Sequence, residues 1–90
     1  MDKLTYKIAV VGNRDAILPF RLIGFQTYPV TEPQEAINTL RKLSRENFGI
    51  IYLTEDIAQA IPDTVAFYDQ QLTPALILIP THRGLSLIHI

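Results

Sequence analysis

The chain has 90 residues, of which 48% are hydrophobic and 19% are charged, and this balance predicts one small folded domain. Eight Lys and Arg against nine Asp and Glu give a net charge of -1, which argues against a nucleic-acid partner. Because cysteine is absent, disulfides, thiolate zinc sites and cysteine nucleophiles are excluded.

The first predicted element is a strand over the apolar run IAVV at 8–11. This run is too short for a signal peptide or a membrane span, so we expect a cytoplasmic protein that does not insert into a membrane. The run ends at Gly12, where many nucleotide-binding proteins place a phosphate loop. Such loops require several glycines, or Gly-Lys followed by Ser or Thr, and GNRDAI supplies one glycine. We therefore interpret Gly12 and Asn13 as a structural turn into the first helix.

A weaker strand candidate, GFQTYPV at 24–30, precedes the clearest helix. In TEPQ the side chains of Thr31 and Gln34 predict a capping box, and Pro33 suits a first helical turn. Apolar residues then recur at helical spacing on one side of this helix: Ile37, Leu40 and Leu43.

The run IIYL at 50–53 predicts a third strand, and Thr54 begins a helix that Pro62 interrupts or restarts. The run ALILI at 75–79 predicts a last strand, which ends at Pro80. None of the three strong runs alternates polar with apolar residues, as is typical of strands buried on both faces of a parallel sheet. The order of elements predicts an α/β domain with a four-stranded parallel sheet, strand order 2-1-3-4, and helices on both faces.

The carboxyl edge of that sheet would gather Gly12, Thr54 and His82, where open parallel sheets usually bind ligands. A small-ligand or phosphoryl-accepting regulatory domain of flavodoxin-like shape is therefore one hypothesis. The chemistry for it is sparse, because no lysine follows Lys42 and His82 has no nearby carboxylate with which to hold a metal. We predict no catalytic, metal-binding or cofactor-binding residues, and no enzyme.

Three stretches together resemble the F subunit of the V-type and A-type rotary ATPases, which is called the G subunit in some sodium-pumping bacterial versions. They are YKIAVVGNRDAILPFRLIGF, FGIIYLTEDIAQAIP and QLTPALILIPTHRG, from Tyr6 to Gly84. The resemblance implies a Rossmann-like domain followed by a carboxyl-terminal helix, without catalytic residues.

The same resemblance implies a rotor role in the central stalk. The chain would bind the coiled-coil D subunit inside the ring of A and B subunits and couple ATP turnover to proton or sodium transport. It would also modulate the ATPase rate, and it would contact that ring and the membrane-ring connector indirectly. We expect a cytoplasmic location, peripheral to the membrane.

Positions of the resemblance carry over to individual residues of this chain. The turn after the first strand falls on Gly12 and Asn13, and the exit of the last strand falls on Pro80. Phe20 and Leu22 are interpreted as core packing of the first helix. A partner interface is predicted at four residues: Arg21, Thr81, His82 and Arg83.

The end of the chain departs from the resemblance. After Gly84 it continues with LSLIHI, where the family would have an amphipathic helix. We expect one domain over residues 1–84 and a short apolar tail over 85–90, with the family helix missing. Such a tail is predicted to promote association of copies, for instance at a sheet edge.

Overall fold

The computed structural model describes residues 7–81, which form one four-stranded sheet and four helices. All strand pairs are parallel and the strand order is β2-β1-β3-β4, which confirms the predicted fold class. His82, Arg83, the boundary at residue 84 and the tail 85–90 lie outside the described residues. In chain order the elements are β1 (Lys7–Gly12), α1 (Arg14–Leu22), β2 (Gln26–Pro29), α2 (Pro33–Arg45), β3 (Phe48–Thr54), α3 (Glu55–Ala60), α4 (Pro62–Asp69) and β4 (Ala75–Ile79).

Helices lie on both faces of the sheet. The chain moves from β1 to β2 in one direction and from β2 through β3 to β4 in the other, so right-handed crossovers place α1 on one face and α2, α3 and α4 on the opposite face. Packing follows this division, since α1 lies mainly against β1 and β2, whereas α3 and α4 contact β4. The main core lies between the sheet and α2, and its fully buried members are Ala9, Val11, Ala36, Leu40, Leu43, Ile51 and Leu53.

The apolar runs differ in how deeply they are buried. In the central β1, Ala9, Val10 and Val11 are fully buried, as a run without alternation predicts. In β4, by contrast, Ile77 is 42% exposed and Leu78 is 45% exposed. The expectation that β4 is buried on both faces is therefore wrong for the chain by itself. The physical reason is that β4 lies at one edge of the sheet, whereas α1 packs against β1 and β2.

The start of α2 differs from the predicted capping box of Thr31 and Gln34. The helix begins at Pro33, and the carboxylate of Glu35 is the group that accepts hydrogen bonds from the preceding turn. Glu35 Oε1 accepts from the backbone N–H of Thr31 at 2.9 Å and from that of Glu32 at 3.4 Å. These backbone donors, that of Thr31 foremost, lower the pKa of Glu35 below its ordinary value. The capping box is thus shifted by one residue, to Glu32 and Glu35, because the helix begins at Pro33 with Glu32 at its capping position.

The first helix corrects one prediction about core packing. Phe20 is half-buried and packs against two aromatic rings, but Leu22 is 80% exposed. Ile17 and Phe20 share the side of α1 that faces the sheet, and Leu22 lies two residues, or about 200° of helical turn, beyond Phe20. The interpretation of Leu22 as a core residue is therefore wrong.

Candidate functional site

The turn between β1 and α1 lies at the carboxyl edge of the sheet and is held against the end of β3. Gly12 has a φ of +151°, and a Cβ on this residue would overlap the side chain of Thr54. The backbone N–H of Asn13 donates a hydrogen bond to Thr54 Oγ1 at 3.2 Å. Because the Thr54 side chain fills the space beside Gly12, this turn is packed against protein on the side where a phosphate loop would need room.

The other polar groups at this edge serve the helix starts. The Asn13 side chain accepts a hydrogen bond from the backbone N–H of Asp15 at 2.9 Å and so caps α1. Thr54 occupies the capping position of α3, but its hydroxyl bonds to Asn13 and makes no capping bond. Asp56 Oδ1 accepts from the N–H of Ile57 at 2.8 Å. These pairings explain the residues locally, without a ligand.

The remaining predicted residues fall at two separate places in the fold. Arg21 is exposed in the last turn of α1, where its charge complements the helix dipole. Pro80 is exposed and Thr81 is half-buried, directly after β4. Their assignment to a partner interface stays a prediction, as does that of His82 and Arg83.

The described part of the chain contains cavities but no metal-binding cluster. Across residues 7–81 no group of three His, Asp or Glu side chains is arranged to hold a metal ion. Two shallow cavities of about 450 Å³ and 440 Å³ lie between α2 and α4, and they share Ile37, Asp63 and Thr64. Neither of these two cavities is lined by Gly12 or Thr54.

Exposed apolar side chains are the more distinctive feature of this surface. Leu18, Leu22 and Ile23, on α1 and just after it, are 47%, 80% and 71% exposed, respectively. Ile77 and Leu78 on β4 are also exposed, as is Phe67 on α4. Contiguous exposed apolar side chains are a feature of surfaces that bind other proteins, membranes or ligands. Sequence reasoning missed Leu18 and Ile23, although the spacing of Leu18 and Leu22 already placed an apolar pair on the side of α1 opposite Phe20.

Comparison with known proteins decides the family. The sequence profile of the ATP synthase (F/14-kDa) subunit family matches residues 8–87, which is most of the chain. The chain belongs to this family.

Relatives in this family come from both bacteria and archaea. The F subunit of the V-type ATP synthase of Fusobacterium nucleatum is 43% identical over 82 residues, covering 91% of this chain and 78% of the relative. The F subunit of the A-type ATP synthase of Methanothermobacter thermautotrophicus is 38% identical over 85 residues, covering 92% and 80%. The chain is thus an F subunit of a V-type or A-type ATP synthase, an accessory component and not a catalytic one. Ion transport and ATP synthesis are activities of the complex to which such a component contributes.

A solved structure of the same family supports the fold. The crystal structure of the V-type ATP synthase F subunit from Archaeoglobus fulgidus superposes with a TM-score of 0.70 at 23% identity, and the match covers 83% of this chain and 98% of that one. The F subunit fold therefore accounts for the sheet and the helices described above. Among the helices within residues 7–81, none is long and apolar enough to cross a membrane.

Proposed function

We propose that this F subunit is a rotor component of the central stalk, where it binds the coiled-coil D subunit. By turning with the D subunit it would couple ATP turnover to the movement of protons or sodium ions, and it would modulate the ATPase rate. Its contacts with the ring of A and B subunits and with the membrane-ring connector would be indirect. The complex would carry it on the cytoplasmic side of the membrane. The observation that carries the proposal is the family match over residues 8–87.

The surface of the described domain supports a role in binding another protein. Large apolar side chains remain in contact with solvent on α1 and on β4, while the polar groups at the carboxyl edge are paired with one another. Exposed apolar area of this kind favours binding of another protein, because its burial is the main favourable contribution to the free energy of association.

A direct binding measurement tests the proposal. The D subunit of the same organism is immobilised, and the chain is titrated over it by biolayer interferometry. We expect saturable one-to-one binding with a Kd below about 100 μM, a threshold that corresponds to roughly 5.5 kcal/mol of binding free energy. Absence of binding by the unmodified chain at that concentration would contradict the proposal.

The predicted interface residue Arg21 can be examined in the same titration. We expect Arg21→Ala to weaken binding by roughly twofold to fivefold, the range of an exposed charged contact. Leu72→Lys is the matched surface control, because Leu72 is 95% exposed in the loop before β4. Equal affinities for Arg21→Ala and the unmodified chain would remove Arg21 from the interface and leave the binding of the D subunit intact.

A further inference from the structure

The two edge strands of the sheet differ in how well their outer edges are protected. Within residues 7–81, β4 pairs only with β3 and β2 pairs only with β1. The β2 edge is four residues long and ends in Pro29, which has no N–H to donate. The β4 edge, Ala75–Ile79, contains no charge, no proline and no glycine. It therefore lacks the features that keep an edge strand from pairing with another strand.

Apolar side chains remain exposed on both faces of β4. Ile77 is 42% exposed and its neighbour Leu78 is 45% exposed. Successive side chains of a strand point to opposite faces, so these two residues lie on opposite sides of the sheet. A helix docked on one face would cover only one of them, and it would leave the outer backbone groups of β4 unpaired because a helix satisfies its own hydrogen bonds. The partner that covers both side chains and pairs the edge is another strand.

Two prolines limit the length over which such a strand can pair. Pro74 directly precedes β4 and Pro80 directly follows it. Because proline has no backbone N–H, a continuous ladder of hydrogen bonds along this edge is confined to the five residues between the two prolines.

The sequence of β4 is complementary to an antiparallel second copy of itself. A twofold axis that passes through the middle of the strand, at Ile77, brings identical strands into register. The directly opposed residues are then Ile77 with Ile77, Leu76 with Leu78, and Ala75 with Ile79. Every opposed pair is apolar, and apolar cross-strand pairs stabilise a sheet.

The prolines also favour this register over its alternatives. With the axis at Ile77, Pro74 lies opposite Pro80 and all five residues of β4 are paired. A slip by two residues is the smallest that keeps each side chain on its face. Such a slip pairs only the three residues nearest the new axis and brings a proline opposite Leu76 or Leu78.

From these observations we infer that two copies of the free chain, outside the complex, bind each other through antiparallel β4 strands related by a twofold axis at Ile77. The result is one continuous sheet of eight strands, four from each copy. The contact is closed, because each copy uses its β4 edge and the protected β2 edges remain at the two ends. It is also small, five residues from each copy, and so belongs to the weak, transient class of interfaces. This inference does not rest on the proposed function.

Disulfide trapping tests the inference at the level of the register. The chain has no cysteine, so Ile77→Cys and Leu78→Cys each introduce a single thiol, at neighbouring positions of similar exposure. In the inferred pair the two Cα atoms at position 77 lie about 4.5–5.5 Å apart, within disulfide range. Those at position 78 are diagonal neighbours about 7–8 Å apart, beyond the usual range.

Each purified variant is oxidised in a glutathione redox buffer, and covalent dimers are quantified by electrophoresis without reductant. We expect Ile77→Cys to form dimers at least about tenfold faster than Leu78→Cys, because only the first pair of thiols is in bonding geometry. Equal rates for the two variants, or faster trapping of Leu78→Cys, would overturn the inferred pairing.

Analytical ultracentrifugation gives an independent readout. We expect the unmodified chain to shift towards twice its monomer mass as its concentration rises from about 10 μM to about 1 mM, the range of a weak interface. Ile77→Lys is expected to weaken this self-association by about tenfold or more, because two like charges would face each other across the axis. Phe67→Lys is the matched control, at an exposed apolar side chain on α4, and is expected to leave it unchanged.

Two outcomes of this measurement would overturn the inference. A chain that stays monomeric at about 1 mM would show that β4 does not pair with a second copy. Association that persists in Ile77→Lys would assign it to another part of the chain, such as the apolar residues 85–90. Circular dichroism checks that both lysine variants are folded, and the trapping experiment remains decisive if Ile77→Lys is not. Binding of the D subunit is measured separately, so that neither result decides the other.

Discussion

Gly12 and Thr54 form a close contact between neighbouring strands at the carboxyl edge. The glycine has no Cβ, so the buried Thr54 side chain can lie against its Cα and accept a hydrogen bond from the N–H of Asn13. The Gly12 turn, which resembles half of a phosphate loop in sequence, is the place where the Thr54 side chain packs against the end of β1. Position 12 requires glycine for two reasons: a Cβ would overlap Thr54, and the positive φ disfavours an L side chain.

This contact predicts a large loss of stability on a small substitution. We expect Gly12→Ala to lower the free energy of unfolding by about 2–5 kcal/mol, because the new methyl group overlaps Thr54 and the backbone φ disfavours an L side chain. Gly24→Ala is the matched control, since Gly24 also has a positive φ, of +99°, but nothing within 4 Å of its Cβ position. That variant is expected to cost only about 1 kcal/mol of backbone strain. Urea unfolding of both variants measures the difference, and equal losses would contradict the steric argument.

Glu35 predicts a pH-dependent contribution at the start of α2. Hydrogen bonds from the backbone N–H groups of Thr31 and Glu32 lower the pKa of Glu35 below 4.5 in the folded chain. The bonds therefore stabilise the fold at pH values above 4.5, and the contribution disappears as the pH falls through the lowered pKa. We expect Glu35→Gln to be less stable than the unmodified chain at about pH 7 and the gap to close as the pH falls through the lowered pKa of Glu35. An unchanged gap in urea midpoints across this range would contradict the assignment.

Helices α1 and α2 both carry apolar residues at helical spacing, but these residues differ in how deeply they are buried. Leu40 on α2 is fully buried, whereas Leu22 on α1 is 80% exposed. The two leucines therefore form a matched pair for testing which helical faces pack inside the domain.

The pair predicts opposite effects of substitution on stability. We expect Leu22→Lys to change the free energy of unfolding by no more than about 0.5 kcal/mol, as for other exposed positions. Leu40→Ala is expected to cost about 2–5 kcal/mol, because it leaves a cavity between α2 and the sheet. Thermal unfolding measures both effects. Comparable destabilisation by the two substitutions would contradict the exposed position of Leu22.

Most strands and helices could be predicted from the sequence, and the wrong predictions have physical causes. The runs at 8–11, 50–53 and 75–79 become three of the four strands because β-branched and other apolar residues without alternation suit a parallel sheet. Pro62 begins α4 after α3 ends at Ala60, so it restarts the helical segment. The apolar character of Leu22 suggested a core residue, although its spacing of two residues from Phe20 places it on the opposite side of α1.

At the scale of the whole molecule, the most distinctive feature of the described domain is its exposed apolar side chains. Within residues 7–81 the sheet carries three helices on one face and one on the other, and the large apolar side chains of α1 remain exposed. The family could be predicted from three stretches of sequence. The stacking of Phe20 on Tyr52 could not, because these residues come from two elements that meet only in the folded sheet.

Rotation of the protein inside the assembled complex is the direct test of the rotor assignment. Leu72→Cys supplies a single attachment point in a chain without cysteine, at a side chain that is 95% exposed. A bead on this thiol is observed while the ring of A and B subunits is fixed to a surface and ATP is supplied. We expect the bead to turn in one direction during hydrolysis, together with the D subunit. A bead that stays stationary on a bound F subunit, while a bead on the D subunit turns, would contradict the rotor assignment.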